Sequence, residues 1–214
     1  KVAYGAWRFD FLPAADRFMP KDVALLPLDY NVLHDESQFS TPELRAVVAK
    51  TAEHRDVIPI AWAQHDDGNY VGRPYTPFEN FYDKLTEMKC ADSGFGIIHW
   101  TTKPLDLYFK SLIDQTWAGS KNEPIEVTCS RMAKTMIGDE QSATMTEYLV
   151  DWINTMPKIG RETSDFFIDR EFKDIDAVRE GFKRRNATLD RIDLSKLKPE
   201  QHAWVNYYRG LERY

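Results

Sequence analysis

Short apolar runs recur along the first half of the chain, at Val2–Trp7, Val23–Asp29, Val57–Ala63 and Gly94–Trp100. Their length and their turn-rich flanks predict strands. Each is followed by a stretch of helical character, at Leu12–Phe18, Pro42–His54, Pro77–Asp92 and Pro104–Trp117. Three of these helices open on similar signals, Thr41-Pro42-Glu43, Thr76-Pro77-Phe78-Glu79 and Lys103-Pro104-Leu105-Asp106. Proline suits a first helical turn, because the amide it lacks would have no partner there. Strand–helix units in succession imply a parallel sheet, the class being α/β. From Glu123 the period becomes purely helical. Met145, Tyr148, Leu149, Trp152, Ile153 and Met156 form one stripe, Ile175, Val178, Phe182 and Leu189 another, and Pro199 opens a last helix carrying Val205, Tyr208 and Leu211. The expected division is an α/β domain over 1–120 and an all-helical domain over 121–214.

With 43% apolar and 13% aromatic residues, the chain can fill a core. A net charge of −6 without a basic stripe argues against nucleic acid, and no apolar run is long enough to span a bilayer. Cys90 and Cys129 lack metal or disulfide spacing and read as small buried apolar residues. No basic region followed by an apolar stretch opens the chain; Lys1-Val2-Ala3-Tyr4-Gly5-Ala6-Trp7 leads straight into a strand.

Four βα units are half of an eight-unit barrel, and half a barrel has two raw edges to be paired or covered. Either the sheet is open or the chain is the C-terminal half of a (β/α)8 barrel, completed by a missing N-terminal half or by a second chain. The second option draws on a strand with Pro59-Ile60-Ala61-Trp62, a polar loop through Arg73-Pro74-Tyr75, a helix, and then Gly94-Phe95-Gly96-Ile97-Ile98-His99-Trp100-Thr101-Thr102-Lys103-Pro104-Leu105-Asp106. This layout resembles the closing strands of a glycoside hydrolase barrel. Loosely, it is similar to the α-glucuronidase-type group, whose barrels are trailed by a helical domain. The resemblance spans about residues 1–120. It implies a glycosidase acting on a complex or acidic polysaccharide or oligosaccharide, without a cofactor or metal, and, for a polysaccharide-degrading enzyme, a secreted or periplasmic location.

Barrel enzymes keep their chemistry at the carboxyl ends of strands. Glycosidic cleavage needs two carboxyl groups flanking the bond, roughly 5–5.5 Å apart for retention and roughly 6.5–9.5 Å for inversion. The candidates are Asp29, Asp35 and Glu36 after the second strand and Asp66 and Asp67 after the third. By position, Asp35 or Glu36 is one partner and Asp66 or Asp67 the other. Asp29 and Asp67-Gly68 also suit ordinary turns, and Asp35-Glu36 a solvated loop. Trp7, Trp62 and Trp100 fall at strand ends, where an indole can carry the apolar face of a sugar; Trp62 and Trp100 are the expected sugar wall. Trp117, Trp152 and Trp204 lie on helices and are expected to pack. His34, His65 and His99 are expected to meet substrate hydroxyls, and Arg73 could grip a sugar carboxylate. Arg73, Arg8 and Lys103 equally suit a solvated surface.

Those three histidines also define a competing reading, a metal-dependent hydrolase in which an aspartate from Asp35, Asp66 or Asp67 completes the ligands and a bound water attacks. No His-x-His or His-Glu-x-x-His occurs. A third reading is a non-catalytic carbohydrate-binding fragment. Phosphate loops and a Gly-x-Ser-x-Gly elbow are absent from the sequence.

Overall fold

The computed structural model describes residues 2–29, 39, 41–62, 71–72, 79–98, 106–117, 121–155, 158–159 and 174–213. In chain order its elements are β1 (Ala3–Ala6), α1 (Leu12–Phe18), β2 (Ala24–Pro27), α2 (Pro42–Ala52), β3 (Ile60–Trp62), β4 (Val71–Gly72), α3 (Phe81–Glu87), β5 (Gly96–Ile98), α4 (Asp106–Thr116), α5 (Ile125–Ile137), α6 (Ser142–Thr155), β6 (Lys158–Ile159), α7 (Ile175–Asp190) and α8 (Pro199–Leu211). The fold is mixed α/β and mostly helical. Two compact units share the chain, one of residues 1–64, 78–99 and 115–122, the other of residues 65–77, 100–114 and 123–214.

In the first unit β1 pairs in parallel with β2, from Ala3 opposite Ala24 to Ala6 opposite Pro27, and β3 pairs in parallel with β5, from Ile60 opposite Gly96 to Trp62 opposite Ile98. Parallel bridges Leu25–Val57 and Leu28–Ile60 join the two pairs. The neighbours therefore run β1, β2, β3, β5, in chain order and all in one direction. Between β2 and β3 the ladder is reduced to bridges because Pro27, which lies between Leu25 and Asp29 on the side of β2 that bonds β3, has no amide to donate; Pro59 faces β5, where its carbonyl accepts from Gly96 N at 2.9 Å. Val57 and Ile60 both belong to the predicted strand, which is shorter in its regular part than the apolar run suggests.

Alternation along the strands turns Leu25, Val57 and Ala61 inward, all essentially inaccessible. The same unit holds a row of phenylalanines. Phe9 and Phe39 have centroids 5.2 Å apart, Phe39 and Phe81 5.3 Å, and Phe81 and Phe95 4.9 Å. Such tilted or edge-on pairs contribute about 0.5–1.5 kcal/mol each beyond their burial.

The helix starts at Pro42 and Pro199 fall where the sequence predicts. α3 departs from the prediction. It begins at Phe81 after Asn80, whose φ of 53° is left-handed and cannot lie inside an α-helix. The side chains of Gln115 and Asn122 then take the first-turn amides, Phe81 N donating to Gln115 Oε1 at 2.9 Å and Asp83 N to Asn122 Oδ1 at 3.2 Å. Pro77 lies outside the described residues.

The second unit is built on the stripe of α6. Met145, Tyr148, Leu149, Trp152 and Ile153 are fully buried, and they pack with Cys129, Ala133, Leu189, Val205 and Tyr208. α7 packs its predicted stripe from Phe182 to Leu189 against the core, with Arg185 set between them, while the start of the stripe stays outside it. Ile175 is 52% exposed, whereas Gly181, Arg185, Thr188 and Leu189 are buried. A short antiparallel pair, β4 with β6, sets Val71, expected in a polar loop, opposite Ile159, which lies in the part of the chain expected to be all helical. Trp152 packs as predicted, but Trp117 is 71% exposed and Trp204 38%, because neither falls on a buried stripe.

Candidate functional site

At the carboxyl edge of the parallel sheet the strand register runs on beyond the regular elements. Leu28 N donates to Ala6 O at 2.9 Å, and Asp29 N donates to Ile60 O at 2.8 Å. Asp29 thus ends an inner strand, its backbone tied to β3, and is only 4% exposed. Trp7 leaves β1 half exposed, followed by Arg8, whose Nε lies 3.0 Å from Asp10 Oδ1 at the surface. Trp62 is the last residue of β3, opposite Ile98. Of the candidates, then, Trp7, Arg8, Asp29 and Trp62 stand at this edge. Asp35, Glu36, Asp66, Asp67, His34, His65, Arg73, His99 and Trp100 lie outside the described residues, as does Lys103.

The opposite, amino edge carries a cleft of about 430 Å³ lined by Val2, Lys21, Asp22, Val23, Ala24, Arg55 and Asp56. Beside it Arg55 is buried. Its Nη1 donates to Val23 O at 3.4 Å, its Nη2 to Met19 O at 3.1 Å, and its Nε lies 3.0 Å from Asp16 Oδ1. Asp16 also accepts from Lys21 Nζ at 2.9 Å and pairs with His54 Nε2 at 3.0 Å. Burial opposes ionisation of Asp16, but the hydrogen bonds and charges of Lys21 and His54 outweigh it and hold the carboxyl below its ordinary value. These groups join α1, the start of β2 and the end of α2. In parallel sheets ligands meet the carboxyl ends, and the amino face serves stability.

Burial pushes the Cys90 thiol up to about 12, and burial with the charge of Glu126 does the same for Cys129. Neither is a nucleophile near neutrality. Both are free and buried, as read from their spacing.

Sequence reasoning misses a polar cluster in the core of the helical unit. Arg185 Nε donates to Glu212 Oε1 at 2.8 Å, Tyr148 OH donates to the same oxygen at 2.9 Å, and Arg185 Nη1 donates to Thr155 Oγ1 at 2.8 Å. The guanidinium also lies 4.8 Å from the Phe182 ring centre. Burial, then the Glu212 charge, drive the Tyr148 phenol far above its ordinary value, so it acts as a fixed donor. The one signal for it is an arginine sitting on the same stripe as Phe182 and Leu189, where a charge demands a buried partner. Nearer the surface Asp114 is held ionised. Burial acts against it, and Lys110 at 2.7 Å, Thr128 at 3.1 Å and Arg131 outweigh burial.

Among the described residues no three His, Cys, Asp or Glu side chains are grouped to hold a metal, and no helix is long and apolar enough to cross a membrane. No family model, curated protein or solved structure matches the chain.

Proposed function

We propose that the chain is an O-glycosyl hydrolase acting on a complex or acidic polysaccharide or oligosaccharide, and that its first unit forms half of a (β/α)8 barrel. The observation that carries this reading is the order β1, β2, β3, β5, sequential and wholly parallel, with helices between the strands. That succession is how a barrel is built, and it brings the carboxyl ends of β2 and β3 side by side. In sequence, Asp35 and Glu36 follow β2, and Asp66 and Asp67 follow β3. In this reading Asp66 or Asp67 works as acid/base or nucleophile against Asp35 or Glu36. His34, His65 and His99 bind hydroxyls, Arg73 takes a sugar carboxylate, and Trp62 and Trp100 form the apolar wall. The strands needed for closure come from an N-terminal half or a second chain.

The test combines release of reducing ends from a panel of neutral and acidic oligosaccharides with native mass spectrometry of the same sample. Turnover by the wild type and a loss of roughly 10²–10⁴-fold in the folded Asp66→Asn/Asp67→Asn double variant are expected. Unchanged kcat in that variant removes both residues from the chemistry. Absence of turnover and binding across the panel, with or without a companion polypeptide, overturns the reading.

A further inference from the structure

Among the described residues of the first unit, every large apolar side chain left exposed lies at one of the two ends of the strand order. Val2, Tyr4 and Trp7 belong to the strand run of β1, Phe11 and Phe18 to the helical segment after it, and Trp117 directly follows α4, the helix after β5. None of them lies on β2, α2, β3 or α3. The backbone is open at the same two ends. Ala24 N donates to Val2 O at 3.0 Å and Leu28 N to Ala6 O at 2.9 Å, so Val2, Tyr4 and Ala6 turn their peptide groups to β2, and Ala3 and Gly5 turn theirs away. Ala3, Tyr4 and Gly5 are exposed, and a Cβ on Gly5 would meet nothing within 4 Å. β5 bonds β3 through Gly96, whose amide donates to Pro59 O, and this turns the peptide groups of Ile97 outward. From Val2 to Trp7 there is neither a charge nor a proline, the devices by which an edge strand resists pairing. α1 turns an apolar flank the same way. Its buried Leu12 marks the sheet side, and Asp16, bonded to His54 and ion-paired with Arg55, marks the side of α2. Steps of about 100° per residue then put Phe11, Ala14 and Phe18 on the flank away from α2, beyond β1.

We propose that the barrel is completed by a second copy of this chain, joined about a two-fold axis so that the open edge of β1 in each copy pairs in parallel with the open edge of β5 in the other. The inference rests on the barrel part of the glycosidase reading and deepens it by naming the partner. A two-fold axis along the barrel keeps all strands parallel, and closure removes both raw edges at once with no other sequence. Neither Val2–Trp7 nor Gly96–Ile98 carries a charge, so the pairing sets no like charges opposite each other. Barrel helices run back against their strands, so Phe18 and Trp117, each at the end of the helix after an edge strand, meet at the amino end of the contact. The six exposed apolar side chains of each copy can cover on the order of 100 Å² apiece, most of the roughly 800 Å² per partner that a specific dimer buries.

The experiment is sedimentation equilibrium and native mass spectrometry of the full chain, wild type and variants, with thermal unfolding and saccharide cleavage recorded on the same samples. Wild type is expected as a dimer. Phe18→Lys and Trp117→Glu replace side chains that are 73% and 71% exposed, so each should fold and weaken the dimer by about 10–100-fold. The double variant sets opposite charges across each contact and should regain about tenfold over either single one. Gly5→Pro removes an amide that points away from β2 and should weaken the dimer while the β1–β2 ladder stays intact. A monomeric wild type, an assembly larger than two, a different polypeptide in the partner's place, or a dimer indifferent to all three substitutions overturns the proposal. Failure of the double variant to recover sets Phe18 and Trp117 apart and overturns the pairing of β1 with β5. If Gly5→Pro does not fold, the two helix-end variants decide alone. Cleavage by a monomer removes this inference and leaves the glycosidase reading standing. A dimer that responds to the substitutions but neither binds nor cleaves any saccharide keeps the pairing and removes the glycosidase reading.

Discussion

The two units solve the problem of burying charge in opposite ways. In the sheet-based unit the core is apolar, with a row of four phenylalanines and the buried Leu25, Val57 and Ala61, and the buried charges among the described residues stand at the two strand edges. In the helical unit a full ion pair sits among the core side chains, with Arg185 and Glu212 at 1% and 0% side-chain exposure. Parallel strands satisfy their own backbone and leave their faces free to be apolar. Helices meeting through side chains alone can accommodate a guanidinium if its donors find acceptors, and Glu212 and Thr155 supply them, with Tyr148 donating to the same Glu212 oxygen. The sheet unit gains stability from shape and area, whereas the helical unit adds a geometric requirement that few alternative packings meet.

The sharpest way to break this contrast is Glu212→Ala. It leaves Arg185 buried without its carboxylate and strands the Tyr148 hydroxyl, so a loss of about 3–5 kcal/mol is expected in urea unfolding. Replacing both partners, Arg185→Met with Glu212→Leu, should restore most of that loss, because the desolvation penalty disappears along with the attraction. If the double replacement is as damaging as the single one, the pair itself stabilises the helical unit and the contrast must be redrawn. The corresponding cut in the sheet unit is Phe39→Ala. It removes the ring between Phe9 and Phe81 and should cost about 3 kcal/mol through lost burial and a residual cavity. No second substitution of a charge should compensate for it.

This contrast also decides what can be read from the sequence. Elements whose cores are apolar are legible. α1 matches its predicted span, α2 begins at the Thr41-Pro42 signal, and the α6 stripe is buried from Met145 to Ile153. On α7 the stripe is legible at Phe182 and Leu189 but the arginine between them is not, since an arginine does not count toward an apolar stripe. Asn80 is only half legible: asparagine tolerates a left-handed φ better than most residues, but that this one adopts it, and that Gln115 caps the turn after it, is set by contacts distant in sequence. The β4–β6 pair joins residues far apart in sequence, and two-residue strands carry no period. At the candidate site, the sequence locates the strand ends and hence Asp29, but its burial depends on neighbours in β1 and β3 that no local pattern contains.

A smaller effect is expected at Gly96, where β5 meets β3. A Cβ there would lie 2.7 Å from Cδ1 of Ile60, closer than side chains approach. The intruded atom is the tip of a side chain, so Gly96→Ala should cost on the order of 1 kcal/mol as Ile60 turns away, and Gly96→Val about 2–3 kcal/mol. The double variant Gly96→Ala/Ile60→Val should recover most of the alanine loss in the same urea experiment. Failure to recover would place the requirement for glycine in the backbone of β5 rather than in shape, against the view that this unit is held by fit.

The smallest effect tests the sheet unit's charges at its amino edge. Asp16 titrates below its ordinary 3.8, burial opposing and Lys21 and His54 prevailing. A carboxyl depressed by folding contributes stability that is complete above the unfolded value and is lost as the pH falls through the lower folded value. Wild type should therefore exceed Asp16→Asn by a margin that is complete well above the ordinary 3.8, and the two should converge as the pH falls through the lowered folded value. Asparagine keeps an oxygen for the buried Arg55, and the Lys21 side chain is 65% exposed and that of His54 45%, so the share of the margin that comes from these two should be under about 1 kcal/mol. Salt separates this edge from the core of the other unit. In roughly 1 M salt the screening length falls to about 3 Å, which should remove most of the Asp16 margin while leaving the Glu212→Ala loss nearly intact. Equal sensitivity of the two would mean that water and ions reach Arg185 as readily as Asp16, and the division between charge at the edge and charge in the core would not hold.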